Sequence, residues 1–146
     1  MTLLEAATAE VHRRLGELEA QLSALDGAQA GETKSSAGDK FETSREMMQQ
    51  ERDRLEAQVQ VMRGHRVALE VAARREHGGV VGLGSEVATE GGERYLVATG
   101  LGKVRLGSGV GWVISPESPL GSALLGKREG EEAVFRGRAM RVAQVV

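Results

Sequence analysis

The 146-residue chain has no cysteine, which excludes disulfides, thiolate metal ligands and cysteine nucleophiles. Aromatic residues make up 3% of it, and Phe41, Tyr95, Trp112 and Phe135 are all there are. So few rings leave little from which to build a stacking platform for bases or sugars. The three histidines, His12, His65 and His77, stand far apart in sequence and form no ligand cluster. Neither charge is in excess: 19 basic and 21 acidic side chains give a formal net charge of -2. That balance argues against binding free DNA or RNA by phosphate neutralisation, which calls for a basic surface. No apolar run approaches the roughly 20 residues that span a bilayer, and the N-terminus lacks a signal-peptide pattern. These absences predict a cytoplasmic protein with no membrane contact.

What is present changes abruptly near His77. Five of the 20 glycines lie in residues 1–77 and fifteen in 78–146, while all three aspartates lie in the first part and both prolines in the second. Residues 1–77 carry 11 basic and 14 acidic side chains, and residues 78–146 carry 8 and 7. The break predicts two units, 1–77 and 78–146.

The first unit reads as helical. Thr2 and Glu5 have the spacing of a capping box. Val11, Leu15, Leu18, Leu22 and Leu25 recur at alternating intervals of four and three, a coiled-coil seam that stops before Gly27 and Gly31. A second seam runs Met48, Leu55, Val59, Met62, Leu69 and Ala73, with Arg52 and Arg66 in its two remaining slots. Each stripe needs a partner, and the short polar segment between them predicts an antiparallel hairpin of two long helices. At about 1.5 Å per residue such arms reach on the order of 40–50 Å. An intramolecular hairpin leaves a monomer.

The second unit reads as a small antiparallel sheet of five or six strands. Ser85–Thr89 and Glu93–Thr99 flank the turn signal Gly91-Gly92. Lys103–Leu106 and Gly111–Ser115 follow, and Ala133–Arg136 and Met140–Val146 close the chain. Ser118-Pro119 has N-cap and N1 chemistry, and Gly126 suits a C-terminal stop, so a short helix spans Pro119–Leu125. The fold class is α+β. Trp112 and Phe135 are expected in the core of this sheet.

Two strings invite a chemical reading. Gly121-Ser122-Ala123-Leu124-Leu125-Gly126-Lys127 fits the start of a phosphate-binding loop, but Arg128 stands where that loop needs Ser or Thr for magnesium. A short helix with a glycine cap explains it better. The second string is the polar segment between the seams, residues 31–43. Asp39 and Glu42 are three apart, which suits hard oxygen ligands for Mg2+ completed by water or a partner. The same spacing suits Asp39 as N-cap with Glu42 at N3. A cap that fixes the carboxylates serves both roles. His65 is expected to flank the helix interface, and His12 and His77 to lie on the surface.

The sequence resembles the bacterial GreA/GreB transcript-cleavage factors. The resemblance is carried by Ile114-Ser115-Pro116-Glu117-Ser118-Pro119-Leu120-Gly121-Ser122-Ala123-Leu124-Leu125-Gly126-Lys127, similar to the family's IS..SPLG.ALLGK run, by the turn Glu129-Gly130-Glu131-Glu132, and by Gly84-Ser85-Glu86-Val87. It implies an FKBP-like sheet domain after the hairpin. In the hairpin tip, Gly38-Asp39-Lys40-Phe41-Glu42-Thr43 is similar to the family's Gly-Asp-x-Ser-Glu-Asn, with Phe41 for the Ser and Thr43 for the Asn. The chain thus looks like a small divergent Gre-like subgroup.

That resemblance implies a transcription elongation factor whose partner is RNA polymerase and which touches nascent RNA only through it. It implies that the hairpin enters the secondary channel and that Asp39 and Glu42 assist Mg2+ supplied at the polymerase active site, promoting cleavage of backtracked 3′ RNA. The chain would then be no enzyme by itself and would hold no tightly bound cofactor. The alternative is a regulator that occupies the channel without cleaving.

Overall fold

A computed structural model describes residues 1–32, 38–76 and 78–146, with side chains described for all of these but 29–32 and 38–41. Two long helices come first, α1 over Leu3–Glu32 and α2 over Gly38–Ala73. Six strands follow: β1 (Glu86–Thr89), β2 (Arg94–Val97), β3 (Gly102–Leu106), β4 (Gly109–Ile114), β5 (Glu132–Phe135) and β6 (Arg138–Val145), with α3 (Pro119–Leu124) between β4 and β5. The expected α+β class is what is found. The chain divides into two compact units, Val11–Gly64 and Met1–Glu10 with His65–Val146.

In the unit Val11–Gly64 the two helices run antiparallel. Arg14, Glu17, Leu18 and Gln21 of α1 share a groove with Ala57, Gln58, Val61 and Met62 of α2, and further along Asp26 forms an ion pair with Arg52. Val11, Leu15, Leu18, Leu55 and Val59 are buried along the seam. Each such side chain contributes about 1.5–3 kcal/mol when fully buried. Leu22, Leu25, Met48 and Met62 are half-buried, so α1 is less closely covered at Leu22 and Leu25 than at Val11, Leu15 and Leu18. Arg52 occupies its predicted slot half-buried, and its guanidinium also reaches Glu56 at 3.5 Å. The helix does not stop before Gly27. It continues through Gly27 and Gly31 to Glu32, because an interior glycine costs only about 1 kcal/mol against alanine.

In the other unit the helix ends pack with the sheet. The Thr2–Glu5 capping box forms in both directions, with Thr2 N donating to Glu5 Oε2 and Glu5 N to Thr2 Oγ1, each at 3.1 Å. Leu3, Ala6 and Ala7 are buried, as are Leu69 and Ala72. The seam of α2 departs here from its predicted slots: Arg66 and Ala73 are exposed, and the inward positions are His65 and Ala72. A straight helix of 3.6 residues per turn drifts about 20° per heptad against a strict seven-residue repeat. His65 therefore turns inward, where Nδ1 lies 2.8 Å from Thr99 Oγ1.

The strands form one sheet in the order β3-β4-β2-β1-β6-β5. All neighbours are antiparallel except β2 and β4, which run parallel with Tyr95 opposite Trp112 and Val97 opposite Ile114. The expected all-antiparallel sheet is thus corrected at one ladder. The chain leaves β2, returns as the outer strand β3, and turns back at Gly107-Ser108 to place β4 in the gap. On one face, Leu3 covers Gly111, whose missing Cβ would lie 2.7 Å from a Leu3 methyl. On the other, Val87, Tyr95 and Val97 pack with Leu124, Ala133 and Val142.

Trp112 and Phe135 are not core residues. Trp112 is 41% exposed and Phe135 is half-buried. On β4 the inward positions are Gly111 and Val113, leaving Val110 and Trp112 on the opposite side.

Candidate functional site

The first candidate is the start of α2. The helix begins at Gly38, so Asp39 lies inside its first turn rather than ahead of it, and Glu42 follows three residues later. Residues three apart on a helix are neighbours on one face, so the two positions share one side of the helix start. Negative charge is favoured there by the unpaired amides and the helix dipole. Glu42 is exposed. The side chain of Asp39 and residues 33–37, including Lys34, lie outside the described residues, as does the side chain of Lys40.

Two hard oxygen donors fit Mg2+ as a partial ligand set, since that ion keeps several waters and takes one or two carboxylates from a protein. Among the described residues no group of three or more His, Asp or Glu is placed to hold a metal ion.

The second candidate is the segment from the end of β4 through α3. Ser115 Oγ accepts from Glu117 N at 3.1 Å, and Ser118 Oγ donates to Ser115 O at 2.7 Å. Ser118 caps α3 by accepting from Gly121 N at 3.0 Å, with Pro119 next in the chain as predicted. The chain passes so close that a Cβ on Gly121 would sit 2.0 Å from Ser115 O. Gly126 then ends the turn at a φ of 81°. The string Gly121–Lys127 is thus a capped short helix and not a phosphate cradle.

His12 is exposed, His65 is tied to Thr99, and His77 lies outside the described residues. In the turn between β1 and β2, the hydroxyl of Thr89 donates to Glu93 and holds that carboxyl below its ordinary range. Burial pushes the neighbouring Tyr95 hydroxyl up.

Sequence reasoning missed one feature of the sheet unit. At the turn between β5 and β6, Arg136 adopts a φ of 53° and lies over the Phe135 ring, 5.0 Å from its centroid. The signal available was Gly137, since Arg-Gly between two strands marks a two-residue turn with positive φ at both positions.

Residues 76–146 match the family described as transcription elongation factor, GreA/GreB, C-terminal domain. Residues 76–146 thus form a C-terminal domain of the GreA/GreB type. A crystal structure of GreA factor homolog 1 (Gfh1) of Thermus thermophilus aligns with 97% of this chain and 95% of that one, at 26% identity and a TM-score of 0.36. Among curated proteins, none matches the chain in sequence.

Proposed function

We propose that this Gre-type factor binds RNA polymerase, places its helical hairpin in the secondary channel and promotes hydrolysis of backtracked 3′ RNA. The observation that carries the reading is the pairing of a Gre C-terminal domain over residues 76–146 with a hairpin whose second helix opens on Gly38-Asp39 and Glu42. In this reading Asp39 and Glu42 complete a Mg2+ site that the polymerase supplies. A metal ion so held activates water and stabilises charge at the scissile phosphate. The chain's own part is to carry two carboxylates three residues apart at the start of α2. It then needs neither a deep pocket nor a basic surface, in keeping with a formal net charge of -2. The polymerase remains the enzyme, and the place of action is the cytoplasm.

A second reading keeps the docking and drops the chemistry. It is favoured by Phe41 and Thr43, which stand where the Gre tip carries Ser and Asn. RNA cleavage in stalled, backtracked complexes of the cognate polymerase separates the two, with wild type compared against D39A/E42A and thermal melts controlling for lost helix capping. Shortening of the 3′ RNA by wild type but not by the folded double mutant supports the cleavage role. Binding by both without cleavage leaves the channel-occupying regulator.

A further inference from the structure

We propose that the cleft formed at the β1–β2 and β5–β6 turns is a binding site for a small sugar phosphate. The cleft has a volume of about 280 Å³, with Glu93 and Tyr95 on one side and Phe135, Arg136, Arg138 and Met140 on the other. Small-molecule sites run upward from about 300 Å³, so this one suits a single ring carrying a phosphate. All of its residues belong to one compact unit.

The first observation is an unpartnered polar group at the floor. Tyr95 is 9% exposed, the most buried residue of the lining, and it packs in the core with Val87, Val97 and Leu124. Among the described residues its hydroxyl makes no hydrogen bond, and no buried side-chain oxygen is without one. The hydroxyl is therefore not sealed in the core but opens on the cleft that Tyr95 lines. A tyrosine set so deeply ordinarily finds a partner for its hydroxyl. Burial pushes that hydroxyl's pKa up, so at neutral pH it carries a proton to donate.

The second is a pair of cations at the rim. Arg136 and Arg138 are exposed, and among the described residues neither forms an ion pair. Arg94 and Arg141 of the same sheet, by contrast, both meet glutamates. The positive φ of Arg136 and its place over the Phe135 ring hold that guanidinium beside the cleft. Two guanidiniums offer forks of donors that match the oxygens of a phosphate.

The third is Glu93, which lines the same cleft and is kept ionised by the hydrogen bond from Thr89. An ionised carboxylate accepts several donors, so one hydroxyl from Thr89 does not fill it. Its charge also repels an anion on the floor, which assigns the phosphate to the arginine rim. Whatever reaches the floor must then donate to Glu93 and accept from Tyr95. A hydroxyl does both, and neighbouring hydroxyls of one sugar do so together. Phe135 has Arg136 over its ring, so recognition rests on charge and hydrogen bonds rather than stacking. Inorganic phosphate would use the rim alone and an uncharged sugar the floor alone. A sugar phosphate uses both.

The test is a titration of the full chain followed by amide chemical shifts, with glucose 6-phosphate as the probe and glucose and inorganic phosphate as comparisons. It needs no polymerase, so its outcome is independent of the elongation-factor reading. Saturable shifts centred on residues 93–95 and 135–140 are expected. R136N/R138Q, in which asparagine accepts the positive φ, is expected to weaken binding roughly tenfold or more. Y95F keeps the ring and its packing and is expected to weaken binding about fivefold. Thermal melts confirm that both variants fold. No saturable shift up to about 10 mM glucose 6-phosphate overturns the proposal. So does inorganic phosphate or glucose binding as tightly as the ester, which marks an adventitious site only. Binding left within about twofold of wild type by either variant also overturns it.

Discussion

The carboxylate of Glu86, on the first residue of β1, accepts a hydrogen bond from the backbone amide of Leu3 at 2.7 Å, across 83 residues of sequence. The same carboxylate takes Arg94 at 2.8 Å. One side chain thus satisfies an open amide at the start of a 30-residue helix and fixes that start to the sheet. Hydrogen bonds to a charged group contribute about 1.5–3 kcal/mol. Glu86→Ala is expected to lower stability by that amount in urea unfolding, and Glu86→Gln by less, since it keeps an acceptor. An Ala variant as stable as wild type would show that the contact carries no weight.

Gly121 is expected to tolerate no side chain. Its Cβ would collide with the Ser115 carbonyl, a backbone atom that cannot swing aside. Overpacking of this kind costs about 1–3 kcal/mol or more. Gly82→Ala is the control: nothing lies within 4 Å of its Cβ and its φ is not positive. Melting temperatures should separate the two, and equal losses would contradict the geometry.

Gly27 and Gly64 offer the opposite outcome. Both stand inside long helices with nothing within 4 Å of a built Cβ. Replacement by alanine is expected to stabilise the protein by up to about 1 kcal/mol at each site, read as a higher unfolding midpoint and unchanged or greater helicity by circular dichroism.

The Thr89–Glu93 contact predicts a pH effect. The Thr89 hydroxyl lowers the carboxyl pKa of Glu93 in the folded state. Its contribution is therefore complete above the unfolded carboxyl value of about 4.3 and is lost as pH falls through the lower folded value. Thr89→Val removes the hydroxyl at nearly constant volume. The gap in melting temperature between wild type and variant should be widest near neutrality and narrow as pH falls below the unfolded carboxyl value of about 4.3. A gap that is constant with pH would mean that Thr89 acts through packing alone.

The sequence made the helices legible because their seams repeat over many turns, and it made α3 legible because Ser118, Pro119 and Gly126 each carry a positional preference. It could not show where α2 changes seam. The shift from Arg66 to His65 depends on helical drift and on a contact with Thr99, far along the chain. Trp112 was misplaced for a related reason. Alternation on β4 sets Val110 and Trp112 against Gly111 and Val113, apolar on both sides, so period two had no contrast to read. What decided the matter was Gly111, which lets Leu3 approach one face and leaves the tryptophan on the other. The parallel pairing of β2 and β4 was hidden because adjacent strands in sequence were expected to be adjacent in space. At the candidate tip, the spacing of Asp39 and Glu42 was plain, and so was its double meaning as cap and ligand pair.

The insertion of β4 between β2 and β3 sets an order of events during folding. β3 and β4 are joined by a short turn and pair over five residue positions, a local contact of the kind that forms in about 1–10 μs. β2, which also pairs with β1, gains its second neighbour only when that hairpin presents β4 to it. Until residue 114 has left the ribosome, the nascent sheet therefore shows an open edge at Arg94–Val97, mostly apolar and free to pair with another chain. Rapid closure of the Gly107-Ser108 turn shortens that exposure, which makes this turn a determinant of yield as well as of shape.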